Sequence, residues 1–189
     1  MNLFNNGIKY VFGGFNKDGK VRFESTSGGA FSAIVDAFCD ENYVIFGATA
    51  EGLNVFHTYI TDKSKLGLFR KSKYSQSRMG TSYKDVKFFL SEGKKVLFSG
   101  TPCQIAGLKM FLQNTDTKNL LTVEVVCEGV PSPLYIRKYE KALENKYGRK
   151  IESLDYRYTD KSCFNCGKWD FEAMKVDTKS GGGSGTFKL

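Results

Sequence analysis

The sequence predicts an α/β fold: a mixed, largely parallel sheet flanked by helices, with antiparallel additions at both ends. Three observations carry this reading. Short uninterrupted apolar runs at 43–48, 95–99 and 120–126 read as strands buried on both faces. Segments with helical apolar spacing alternate with strands between about residues 43 and 150. Strand-like stretches outside that alternation, at 8–15 with 21–23 and at 151–158 with 169–176, supply the antiparallel additions.

The elements follow in chain order. Residues 8–15 read as a strand, and 16–20 as a hairpin turn in which Asp18-Gly19 supplies the positive φ, with 21–23 as the partner strand. Ser25-Thr26-Ser27-Gly28-Gly29 leads into a helix over 30–38. The strand at 43–48 is expected to pair with 53–60 through the Glu51-Gly52 region. A short helix is expected over 63–69. A firmer one covers 83–90, with Val86, Phe89 and Leu90 on one face and Gly93 as its stop. Strand 95–99 runs into Gly100-Thr101-Pro102-Cys103-Gln104. The helix after it carries Ile105, Leu108, Phe111 and Leu112 on one side. Strand 120–126 ends at Cys127-Glu128-Gly129-Val130-Pro131, and an amphipathic helix covers 134–147. The run 180–185 has linker composition. One domain over 1–179 and a flexible tail over 180–189 are therefore expected.

Composition narrows the function. The 189 residues include 28 Lys or Arg and 20 Asp or Glu, a net charge of +8, and 41% are hydrophobic. That balance excludes wholesale disorder and collagen-like repetition, and the length suffices for a buried core. The basic residues are spread along the chain with no block of six like charges, so a nucleic-acid partner is disfavoured. The excess charge still suits an anionic partner such as a phosphate-bearing cofactor. No apolar stretch reaches ~18 residues, so no membrane-spanning helix is expected. The N-terminus lacks the basic start and apolar run of a signal peptide, and a cytoplasmic location is expected. Five cysteines without an export signal point to reduced thiols or metal ligands, not a disulfide framework.

In a helix-flanked sheet, ligands gather where strands end and helices begin. Two junctions stand out. At Ser25–Gly29, small residues, hydroxyls and free helical N–H groups can hold a phosphate or a ring carbonyl, though the same residues serve equally as plain helix caps. At Gly100–Gln104, Pro102 suits a first helical turn, and Cys103 falls at the helix N-terminus, where the dipole favours a thiolate. A small cysteine packing a tight turn is the alternative there. Cys127 also follows a buried strand, so it and Cys103 can converge at neighbouring strand ends. Cys163 and Cys166 are spaced to reach one metal or one cluster, and four thiolates complete the set a 4Fe–4S cluster needs. Zinc on Cys163 and Cys166 alone is a competing reading. Cys39 reads as core, and His57 as a structural histidine.

These segments together resemble the coenzyme F420 hydrogenase/dehydrogenase beta-subunit family. The resemblance runs over roughly residues 8–160. It rests on Ser25–Ala33, His57, Ser72-Lys73-Tyr74-Ser75-Gln76-Ser77, Val96–Leu108 with Gly-Thr-Pro-Cys-Gln, and Val126–Pro133 with Gly-Val-Pro-Ser. It implies a flavin-dependent iron–sulfur oxidoreductase module. Such a module would bind FAD and pass electrons between a 4Fe–4S cluster and a hydride acceptor, in some members the deazaflavin coenzyme F420. By the same resemblance Ser27, Gly28 and Gly29 would line the flavin site, with Lys73, Tyr74 and Ser77 as its second motif. Gly100, Thr101, Pro102 and Gln104 would form the cofactor-side turn. Cys103 and Cys127, joined by Cys163 and Cys166, would be cluster ligands.

Three departures from the family pattern accompany the resemblance. The family's N-terminal ferredoxin domain is not seen before residue 8, which implies a separate ferredoxin-type electron partner. Glu128 stands where the family has histidine; added negative charge there would lower a cluster potential. The C-terminal segment is short, so that Arg157 and Trp169 bracket Cys163 and Cys166. The alternative implied by these departures is a non-catalytic accessory module of the same fold, linked to polysaccharide biosynthesis.

Overall fold

A computed structural model of the chain describes residues 12–127, 129–156, 174–178 and 185–187. The main sheet contains β1 (Tyr43–Glu51), β2 (Asn54–Ile60), β3 (Lys95–Gly100) and β4 (Leu120–Glu124) in the order β2-β1-β3-β4. β3 pairs in parallel with β1 and β4, and β2 pairs antiparallel with β1. The sheet is thus mixed and mostly parallel, as the apolar runs predict. The β1–β2 connection is short: Glu51 faces Asn54 across the ladder, and Gly52 takes the left-handed turn at φ +56°.

Strand side chains alternate between faces, and the core divides accordingly. Val44, Phe46, Val96 and Phe98 pack on one face with Val86 and Leu90 of α3 (Ser82–Ser91) and Ile105 and Leu108 of α4 (Pro102–Phe111). Ile45 and Leu97 point the other way, onto Val35 of α2 (Ala30–Phe38) and Leu66 and Phe69 of the 3₁₀ helix Lys63–Phe69. Three layers result, with both sheet faces covered. Gly47 is dictated by this packing: a Cβ there would lie 2.8 Å from Cγ of the Phe69 ring. Cys39 is fully buried in the second cluster, as expected of a core residue.

Two expectations are corrected. The N-terminal hairpin does not form among the described residues. Residues 12–15 are irregular, and 21–23 belong to a short helix, α1 (Gly19–Phe23). Asp18 is its N-cap, with its carboxylate accepting from the backbone N–H groups of Lys20 at 2.8 Å and Val21 at 3.2 Å. The Asp-Gly pair read as a turn is the start of a helix, because capping uses the same short acceptor side chain. Residues 8–11 lie outside the described residues.

The late strands also differ from expectation. β5 (Ile151–Tyr156), β6 (Met174–Thr178) and β7 (Gly185–Phe187) form a separate antiparallel sheet in the order β5-β6-β7 and do not extend the main one. β7 falls within the stretch expected as a tail, while 179–184, with most of its Gly/Ser run, lies outside the described residues. The helix expected over 134–147 is α5 (Pro133–Tyr147), started by Ser132, whose Oγ accepts from Tyr135 N at 3.3 Å, and stopped by left-handed Gly148. Among the described residues no helix is long and apolar enough to cross a membrane.

Candidate functional site

The segment 70–78 connects the 3₁₀ helix to α3 without regular structure of its own. Its first end is fixed by Arg70, which forms an ion pair with Glu24. There Lys73 Nζ also donates to the carbonyls of Leu68 at 3.1 Å and Arg70 at 2.7 Å. Its far end is stitched to β2: Arg78 N donates to Val55 O at 3.0 Å, and His57 N donates to Arg78 O at 2.9 Å. Between these anchors Ser72 N donates to Thr26 Oγ1 at 2.9 Å, Gln76 N to Pro131 O at 3.2 Å, and Gln104 Nε2 to Ser77 Oγ at 2.8 Å. This strap therefore bonds to the three other segments singled out in the sequence: 25–29, 100–104 and 126–133. Residues 24 to 131 meet along one short run of chain.

Around Gly100 the hydrogen bonds close into a circuit. Thr101 caps α4, and its backbone N–H donates to Gln104 Oε1 at 3.0 Å. The other end of that amide reaches Ser77, whose Oγ lies 2.8 Å from His57 Nδ1. His57 Nε2 lies 3.0 Å from Ser99 O. His57 is buried and stacks on Phe98, with ring centroids 5.4 Å apart and planes 16° apart. Burial pushes its pKa below the ordinary 6.5, against the smaller opposite pull of the Ser99 carbonyl.

The sign of the pH effect follows. Below about 6.5 the unfolded chain binds a proton at His57 that the folded chain resists, so this contribution to stability is full above that pH and is lost as pH falls through the lowered folded value. Denaturation curves taken between about pH 5 and pH 7 should show that loss, and a His57→Gln variant, with no titrating ring, should lack it.

The glycines at the two junctions are occupied by the chain itself. A Cβ at Gly28 would meet Gly14 O at 3.0 Å, and one at Gly29, a left-handed N-cap at φ +73°, would meet Asn16 Cβ at 3.2 Å. A Cβ at Gly100 would meet Gln104 Oε1 at 3.2 Å. Ser27 is exposed at the start of α2, Lys73 and Tyr74 are half-buried in the strap, and Ser77 is buried. Arg70 Nε is buried without a hydrogen-bond acceptor, and burial lowers the Lys73 ammonium to about 8. The Lys73 ammonium already donates to the Leu68 and Arg70 carbonyls, and the Arg70 guanidinium pairs with Glu24. A phosphate-tailed cofactor would meet the positive charge of these two side chains in the half-buried strap.

The register of the sheet places two of the cysteines. Gly100 of β3 faces Glu124 of β4, and Val125 N continues the ladder to Gly100 O at 2.9 Å. Cys103 and Cys127 each stand three residues beyond that pair, at the same edge of adjacent parallel strands. Cys103 is exposed, with its Sγ 3.2 Å from Thr101 Oγ1, and Cys127 is partly exposed. Cys163, Cys166 and Glu128 lie outside the described residues. Among the described residues no three His, Cys, Asp or Glu side chains gather as a metal site.

Two cavities flank the strap. One of about 250 Å³ is lined by Ser75, Gln76, Arg78, Arg137 and Glu140 among others. The other, of about 510 Å³, is lined by His57, Tyr59, Arg78 and Asp85 among others. Neither is lined by any of the residues that the family resemblance assigns to the flavin. His57, Arg70, Arg78 and Pro131 hold this region together; His57 and Pro131 enter the sequence reading only within the family resemblance, and Arg70 and Arg78 have no role in it. The one available signal was a histidine at an inward position of a strand.

No curated protein matches the chain. A chain in a solved structure of the xenon-derivatized F420-reducing NiFe hydrogenase complex from Methanosarcina barkeri aligns with a TM-score of 0.59 at 15% sequence identity. The alignment covers 92% of this chain and 58% of that one, so this chain spans little more than half the length of its structural relative. At that identity the match shows a shared fold. Residues 93–183 match the family model that describes the C-terminal part of the coenzyme F420 hydrogenase/dehydrogenase beta subunit. The β3–α4 turn and its Cys103 lie inside that matched region, so residues 93–183 are similar to the C-terminal part of the coenzyme F420 hydrogenase/dehydrogenase beta subunit, and the fold is shared over most of the chain.

Proposed function

We propose that the chain is a flavin-dependent iron–sulfur oxidoreductase module that passes electrons between a 4Fe–4S cluster and a hydride-accepting substrate at FAD. The observation that carries this is the strap, which draws the family's separate motif segments together at one end of the sheet. FAD would be held by Ser27, Gly28, Gly29, Lys73, Tyr74 and Ser77, with Gly100, Thr101, Pro102 and Gln104 as the turn beside it. FAD supplies hydride transfer on one side and single-electron transfer on the other. Arg70 and Lys73 offer positive charge to its phosphates, and the α4 N-terminus adds its dipole at the same edge. Cys103, Cys127, Cys163 and Cys166 would hold the cluster, the first two supported by their equal offset from the Gly100–Glu124 pair. The substrate is coenzyme F420 or another small hydride acceptor, and electrons come from a ferredoxin-type protein.

Purification of the full chain under argon, with iron, sulfide and FAD supplied, tests this. The expected spectrum is a flavin band over a broad iron–sulfur shoulder, with about four iron atoms per chain, as one 4Fe–4S cluster requires. A colourless protein that takes up neither FAD nor iron overturns the reading. Zinc near one per chain with no iron would point to Cys163 and Cys166 acting alone.

A further inference from the structure

We propose that His57, held as the Nε2–H tautomer, is the positioning residue that fixes the turn carrying Cys103, acting through Ser77 and Gln104. The functional meaning rests on reading that turn as the cofactor edge; the geometry does not.

The direction of every bond in the circuit is set by chemistry. A backbone carbonyl only accepts, so His57 Nε2, 3.0 Å from Ser99 O, must carry the proton. In a neutral ring Nδ1 then only accepts, so the Ser77 hydroxyl must donate to it across 2.8 Å. The Ser77 oxygen, its proton committed, accepts from Gln104 Nε2 at 2.8 Å. Gln104 is oriented independently, because the Thr101 backbone N–H requires the amide oxygen to face it at 3.0 Å. The chain of donors thus runs Thr101, Gln104, Ser77, His57, Ser99 with no group used twice in the same sense. It starts one residue after Gly100 and ends one residue before it.

The other tautomer fails at one point. It would set a lone pair of Nε2 against the Ser99 carbonyl oxygen inside the protein, where an unpaired acceptor cannot turn to water. His57 and Ser77 are both buried, so the bond between them is not exchanged for solvent, and the Ser99 bond is part-buried. Stacking on Phe98 keeps the imidazole from rotating out. Each end of the circuit is anchored in regular structure: His57 in β2, Ser99 in β3 and Gln104 in α4. Ser77, in the irregular strap, is held by its neighbour Arg78 on β2, and Thr101 caps α4. Through this ring, β2 at the edge of the sheet dictates the exit of β3 two strands away.

His57 is the only histidine in the chain, so its ring signals are unambiguous. Nitrogen-15 NMR of the full chain, prepared without iron or flavin, should show the Nε2–H tautomer at neutral pH. Peptide-resolved alkylation with iodoacetamide then reads the turn. In Ser77→Ala and His57→Leu, the labelling rate of Cys103, already exposed in the wild type, should change by about threefold or more as the turn that fixes its thiol beside Thr101 loosens. Buried Cys39 should stay protected, which shows that the core is intact. His57→Gln keeps one acceptor and one donor at a similar separation, and should label within about twofold of the wild type.

The Nδ1–H tautomer overturns the proposal. So does unchanged Cys103 labelling in both disruptive variants, or Cys39 labelling that rises in step with Cys103, since the ring would then serve general stability. None of these readouts needs flavin or iron, so a failure of the redox function leaves them standing.

Discussion

A Phe98→Ala variant is expected to lose about 3–5 kcal/mol of folding stability, the range for removing a fully buried aromatic ring. Phe98 has no exposed surface and lies on β3, the central parallel strand. Its ring meets Phe46 at 5.9 Å and Tyr83 at 6.1 Å between centroids, and so joins β1 and α3 to β3. It also carries His57 on its face and closes over Gly100, where a Cβ would meet its Cε1 at 3.1 Å. No neighbour can collapse into such a gap, because strands fix the backbone on either side. Urea denaturation should show a lower midpoint at an unchanged slope. Phe98→Leu, which keeps most of the volume, should lose less than half as much. A loss below about 1 kcal/mol for the alanine variant would mean that the packing described around β3 is wrong.

The second large effect is chemical and leaves the fold alone. Cys103→Ser is expected to abolish assembly of an iron–sulfur cluster, since an exposed serine is not a thiolate ligand. The Cys103 thiol is exposed and leans on the Thr101 hydroxyl, which a serine can also reach, so stability should stay within about 0.5 kcal/mol of the wild type. Reconstitution with iron and sulfide should then give no broad visible absorbance in the variant, while FAD uptake persists. Electron delivery from a reduced ferredoxin-type protein to the flavin should fall to background. A variant that keeps its cluster would remove Cys103 from the ligand set and leave the proposed electron path without its central atom.

The strand–helix alternation was legible because its signals are local. The run Tyr43-Val44-Ile45-Phe46 can be buried on both faces only in a covered sheet, and that is where it lies. The helix over Ala30–Phe38 and the short turn over Lys63–Phe69 begin and end where spacing places them. Local signals also misled. Asp18-Gly19 satisfies the demands of a tight turn and of a helix start, and only the irregular chain before it decides for the helix. Residues 151–156 and 174–178 are strand-like by any local measure, and nothing within them says which sheet they join. The family motifs around the strap were recognisable as words, but their purpose was not. The Cβ positions of Gly28 and Gly29 lie against residues 14–16, a contact that no local signal in 25–29 announces. His57 belongs to the family resemblance, but its bonding role was not legible, because its partners stand 20 and 42 residues away along the chain.

The strap has one further implication. Its attachments fall at residues 70, 72, 73, 76, 77 and 78, which reach Glu24, Thr26, Leu68, Pro131, Gln104 and β2 in turn. Such a segment can exchange many of its side chains and still connect, but it cannot change in length. One inserted residue after Ser72 would throw the attachments at Gln76, Ser77 and Arg78 out of step together. Spacing, more than composition, is what a redesign of this region has to preserve.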